Sequence, residues 1–234
     1  MMESATDWPR WTKPLGIAIA CELIYIGGRD WLLDQGAPGV KQELTLDAWR
    51  LIFIPLYLAL YRRVHGPSAA MRWMPRHPAL LLAVLLIFVV PPFGAAVAEP
   101  AYLAVLAAFT FPIAVPREEL FDHGILQASL ERLIGPMPAI VVTAIAFTLS
   151  HHGVLERMDP VQLADIATTG LVLGVIYQRT RNLPLVIAIH LLSDEVIALT
   201  PRATLDVSAL LLLNLATAVL ALGWWRLDAR AAVK

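Results

Sequence analysis

Apolar residues run along this chain in blocks long enough to reach across a bilayer, separated by charged residues or by Pro/Gly breaks. Eight such blocks stand out, at 14–33, 46–62, 78–97, 101–134, 137–153, 161–178, 183–200 and 205–225. A bilayer core offers backbone amides no water to bond, so each block is expected to be helical. The pattern therefore predicts an all-α polytopic membrane helix bundle of about eight transmembrane helices, a single membrane-embedded domain over 1–234. At a rise of about 1.5 Å per residue the fourth block is too long for one straight crossing. Pro112 and Pro116 are expected to break or kink it, with a second half starting near Arg117.

Composition sharpens the class. Hydrophobic residues make up 58% of the 234 positions and charged residues 16%, well under the roughly one quarter charged of a soluble domain. Mean hydropathy is +0.66. Formal net charge is −1 and the basic residues are scattered, so nucleic acid is not an expected partner. Cys21 is the single cysteine, which rules out an internal disulfide and any multi-cysteine metal site. The first apolar block lacks a small-residue cleavage pattern and more blocks follow it, so it reads as a retained span.

Basic residues also give an orientation. With the N-terminus inside and one crossing per block, twelve Lys and Arg fall on the inner side, against Arg29, Lys41, Arg50, Arg157 and Arg202 outside. Both termini are then cytoplasmic, and the expected location is a bacterial inner membrane, with membrane lipid as a partner. The basic stretch from Arg62 to Arg76 reads as an interfacial anchor near lipid headgroups.

Three polar clusters interrupt the apolar blocks: Glu118-Glu119, His151-His152, and His190 with Asp194. An ionisable group at a helix centre costs about 2.5–3.5 kcal/mol on insertion scales, so such groups are expected to face a bundle interior and act there. Gly135-Pro136 is a turn signal between two blocks. Glu118 lies seventeen residues before Gly135 and His151 sixteen after it, which sets the two side chains level in an antiparallel hairpin. His190 and Asp194 are one helical turn apart and share a face. A common interior pocket explains all of them at once. Asp122 and His152 are secondary candidates, and Glu22 and Asn214 read as polar contacts between helices.

In this order the residues resemble the CPBP intramembrane proteases, which include type II CAAX prenyl endopeptidases and relatives linked to bacteriocin processing. The family patterns EExxxR, FxxxH and HxxxN or HxxxD are similar to Glu118-Glu119 with His123, Phe147 with His151, and His190 with Asp194. The resemblance covers roughly residues 100–200. One position departs from it: His123 stands where the family usually has arginine.

The resemblance implies an intramembrane endopeptidase acting on a protein or peptide near the membrane surface. Glu118 would be the general base, His151 would help to position the water, and His190 and Asp194 would serve the oxyanion and its orientation. An ionised Asp194 has no proton to donate, so it is expected to orient His190 or to be itself protonated. Glu119, His123 and Phe147 are supporting residues. Glu118, His151, His190 and Asp194 are also reasonable ligands for a divalent metal such as zinc, and metal-assisted hydrolysis stays open beside the glutamate route. Two other functions compete: a non-catalytic binding or immunity protein of the same fold, and a proton-coupled transporter. Many transporters carry internal repeats, and none is evident here.

Overall fold

A computed structural model describes residues 12–35, 39–66, 106–151, 160–199, 212, 215–224 and 226, and all regular structure among them is helical. Helix α1 (Thr12–Asp34) and α2 (Val40–His65) form an antiparallel pair. A long helical rod then runs over 106–134, built from a π-helical turn Leu106–Thr110, α3 (Phe111–Glu119), a second π-helical stretch Leu120–Gln127, and α4 (Ala128–Ile134). It is followed by α5 (Pro136–Ser150), α6 (Pro160–Thr180) and α7 (Leu183–Leu199). Leu215–Trp224 is a further short apolar helix.

The α1–α2 pair is closed by aromatic side chains. Phe53 meets Tyr25 and Trp49 edge-on, with ring centroids 5.4 and 5.1 Å apart. Tyr57 continues the row to Phe121 of the rod, at 5.6 Å. A Cβ on Gly28 would run into the Trp49 indole, so this glycine is what lets the two helices approach.

Pro112 and Pro116 do not end the rod, contrary to the expected break near Arg117. Pro112 sits in the first turn of α3, where a missing N–H costs little. Pro116 lies inside α3, and the π-helical stretch begins four residues later. Gly135, at φ +83, then turns the chain sharply into α5, its N–H closing on the Glu131 carbonyl at 3.1 Å. Asn182 starts α7 by accepting the Leu185 N–H on its side-chain oxygen at 3.1 Å, an N-cap bond.

Helix α6 packs closely on α5 and the rod because Gly170 and Gly174 occupy one of its faces. A Cβ on Gly170 would stand 3.0 Å from Phe147 and 3.1 Å from the Ala144 backbone; one on Gly174 would stand 3.0 Å from Gln127 and 3.2 Å from Ile140. Small residues four apart are a standard device for close helix approach in lipid. Here they also expose backbone carbonyls: Gly170 accepts from His123 at 3.3 Å and Gly174 from Gln127 at 2.9 Å.

Among the described residues, α2 alone is long and apolar enough, by length and composition, to cross a membrane. The expected eight spans are thus reduced to an all-helical architecture with one clear spanning candidate. The reason lies in the residues themselves: α1 carries Lys13, Glu22, Arg29, Asp30 and Asp34, while α5 has only 15 residues. The block at 78–97 lies outside the described residues.

Candidate active site

Near the end of the bundle where α1 passes into α2, a cavity of about 290 Å³ opens among five helices and the rod. Its walls include Glu118 from α3, Phe147 and His151 from the C-terminal end of α5, Asp165 from α6, and His190, Ser193 and Asp194 from α7. Arg29 of α1 and Arg50 of α2 line the opposite side. Glu118, Phe147, His151, His190 and Asp194, singled out in the sequence from three distant stretches, therefore line one cavity. His152 lies outside the described residues.

Glu118 is half-buried, and its carboxylate has no hydrogen-bond partner among the described residues. Its lone pairs are available to the cavity. His151 follows the last residue of α5, and its Nδ1 donates to the Phe147 carbonyl at 2.7 Å. That bond assigns the Nδ1 proton and leaves Nε2 for a ligand or water. Phe147 stacks its ring against both imidazoles, 4.9 Å from His151 and 5.7 Å from His190.

Behind the cavity wall, Glu119 is wholly buried and bridges two histidines. Its Oε1 accepts from His190 Nδ1 at 2.8 Å, and its Oε2 faces His123 Nδ1 at 2.6 Å. Asp194, expected to orient His190, shares that ring with Glu119. Glu119 holds the ring by its inner nitrogen, and Asp194 Oδ2 stands 3.7 Å from the outer one. The π-helical winding just after Glu119 carries His123, also wholly buried, beneath this carboxylate. Its other nitrogen meets the Gly170 carbonyl.

Two features were not foreseen from sequence. Arg117 is buried in the bundle and grips Glu22 of α1 through three N–H···O contacts of 2.9–3.1 Å. Tyr57 donates to the same carboxylate at 2.7 Å, and the guanidinium lies 3.7 Å over the Tyr25 ring. Glu22 thus makes the interhelical polar contact expected of it, while Asn214 lies outside the described residues. Secondly, Asp122 is wholly buried and does not line the cavity; neither of its oxygens has a hydrogen-bond partner among the described residues.

Glu118, His151, His190 and Asp194 share the cavity, but among the described residues no three His, Cys, Asp or Glu side chains are placed to hold one metal ion.

The motifs at 118–123, 147–151 and 190–194 all lie within one stretch that a known family also describes. Residues 100–196 match the family of type II CAAX prenyl endopeptidase Rce1-like proteins. This is the family that the three motifs resemble. The Rce1-like match covers fewer than half of the residues, and it includes the rod, α5, α6 and most of α7 but neither α1 nor α2. No curated protein and no solved structure matches the chain.

Proposed function

We propose that this chain is a membrane-embedded endopeptidase that hydrolyses a peptide bond of a membrane-associated protein or peptide, with Glu118 activating the water. One observation carries the reading: an unpartnered glutamate and two histidines, each histidine tied down by its inner nitrogen, line the same cavity within the Rce1-like stretch. Water sits between Glu118 and His151 Nε2. Glu118 takes one of its protons as the oxygen adds to the scissile carbonyl carbon. The oxyanion is held by an N–H at His190 Nε2, where Asp194 supplies a counter-charge. Collapse breaks the C–N bond, and the proton on Glu118 passes to the leaving amine.

Its surroundings support a bilayer. Ile17, Leu23, Ile24, Leu51, Ile52, Val141, Ile145 and Leu149 are large apolar side chains exposed on the outside of the bundle, a coat suited to lipid tails. The remaining apolar blocks complete a polytopic bundle of about eight spans with both termini cytoplasmic. The test is Glu118→Gln in the full chain, reconstituted in lipid with a peptide library bearing lipidated C-terminal tails. Cleavage by the parent protein and its loss by at least about 100-fold in the variant, the scale of a general base, supports the reading. Equal cleavage by both defeats it.

A further inference from the structure

At the other end of the bundle lies a second, larger recess of about 480 Å³, remote from the catalytic candidates. Tyr61 of α2, Glu131 and Arg132 of α4, Tyr177 near the end of α6, and Arg181 in the α6–α7 turn line it. None of these residues belongs to the proposed chemistry.

Arg181 is the informative one. It adopts φ +53, the left-handed region that favours glycine, and its N–H closes α6 on the Tyr177 carbonyl at 2.7 Å. Glycine is the usual residue at such a helix end, so the side chain is retained there against a backbone preference. That side chain is also held in place: Glu131 pairs with the guanidinium, and Tyr177 lies beneath it with Cζ 5.7 Å from the ring centroid. Glu131 is in turn fixed by Gln127 at 3.0 Å.

Arg132 of α4 lines the same recess. It donates Nη2 to the Val64 carbonyl at 3.1 Å, and its other N–H groups have no partner among the described residues. The Tyr61 hydroxyl likewise has none. Arg62 and Arg63, exposed in the last turn of α2, add positive charge at this end. Next to Arg132, Leu133 and Ile134 are 58% and 47% exposed, an apolar shoulder beside a cationic recess.

We propose that this recess binds a phosphoryl group, with Arg132, Arg181 and the Tyr61 hydroxyl as its ligands. Paired guanidinium groups match the geometry of phosphate oxygens. The neighbouring exposed apolar shoulder points to an anionic phospholipid as the source, its headgroup in the recess and its chains along α4. A soluble phosphate ester would use the same ligands without that shoulder.

The experiment measures binding to the purified full chain in neutral detergent with three probes: phosphatidylglycerol, diacylglycerol and glycerol phosphate. Phosphatidylglycerol is expected to bind at least about tenfold more tightly than diacylglycerol, the worth of a charge-assisted hydrogen bond. Arg132→Gln and Arg181→Gly should each lose about that factor. Arg181→Gly removes the left-handed conformational cost, and Arg132→Gln keeps an amide donor for Val64, so both variants are suited to folding. If glycerol phosphate binds as well as phosphatidylglycerol, the phosphoryl site stands with a soluble source. Equal binding of phosphatidylglycerol and diacylglycerol, or unchanged affinity in both folded variants, overturns the proposal.

Discussion

His123 Nδ1 stands 2.6 Å from Glu119 Oε2, and both side chains are wholly buried. A carboxylate oxygen at one ring nitrogen and the Gly170 carbonyl at the other are satisfied together when the ring carries both protons. In that form histidine does for Glu119 what the arginine usual in the family would do, with a shorter reach that suits the narrow space beside Gly174. His123→Ala strands a buried carboxylate and is expected to cost about 3–5 kcal/mol of stability. Unfolding in detergent, followed by circular dichroism, checks this. A loss under about 1 kcal/mol would mean that Glu119 is compensated elsewhere.

Glu118 and Glu119 are adjacent, yet their substitutions should separate. Glu118 has no hydrogen-bond partner among the described residues, so Glu118→Gln should leave stability within about 0.5 kcal/mol of the parent while removing cleavage. Glu119→Gln instead sets an amide between two imidazoles that both need an acceptor. It should lower stability by about 1–3 kcal/mol and reduce cleavage as well, because His190 loses its hold. Paired melting and peptidase assays on the two variants read the split. Identical behaviour would remove the division into a reacting and a holding carboxylate.

Much of this arrangement was legible in the sequence, for identifiable reasons. The turn at Gly135 made the depths of Glu118 and His151 countable, and the four-residue step from His190 to Asp194 fixed a shared face. Helix class followed from apolar blocks alone. What was hidden depended on winding and on partners far along the chain. Nothing in the spacing of Pro112 and Pro116 announces the π-helical stretch Leu120–Gln127. Glu22 and Arg117 are 95 positions apart, so although Glu22 reads as a polar contact between helices, nothing along the chain names Arg117 as its partner. Of the eight blocks, α2 alone among the described residues is a clear spanning candidate, because α1 carries five charged residues and α5 is only 15 residues long.

Gly170 should tolerate little. Its added Cβ would stand 3.0 Å from Phe147, whose ring contacts both His151 and His190, so Gly170→Val presses directly on the wall of the cavity. Overpacking of this kind costs about 1–3 kcal/mol. Cleavage should fall further than stability does, whereas Gly16→Val, where a Cβ would meet nothing within 4 Å, should leave cleavage unchanged. Matched melting curves and turnover rates for the two variants provide the measurement. Retained turnover in folded Gly170→Val would show that Phe147 does not position the histidines.

The Arg117–Glu22 pair is suited to a double-mutant cycle. Both groups are almost completely buried, and breaking such a pair from one side leaves a charge without its counter-ion. Glu22→Gln and Arg117→Met alone should each cost about 3–5 kcal/mol. Changing both, as Glu22→Leu with Arg117→Met, removes the two desolvation costs together and should recover most of the loss. Tyr57 limits the recovery, since its hydroxyl donates to Glu22 at 2.7 Å and is stranded in the double variant. Adding Tyr57→Phe should therefore return a further 1 kcal/mol or so. Strict additivity of the single losses would show that the pair contributes no coupling between α1 and the rod.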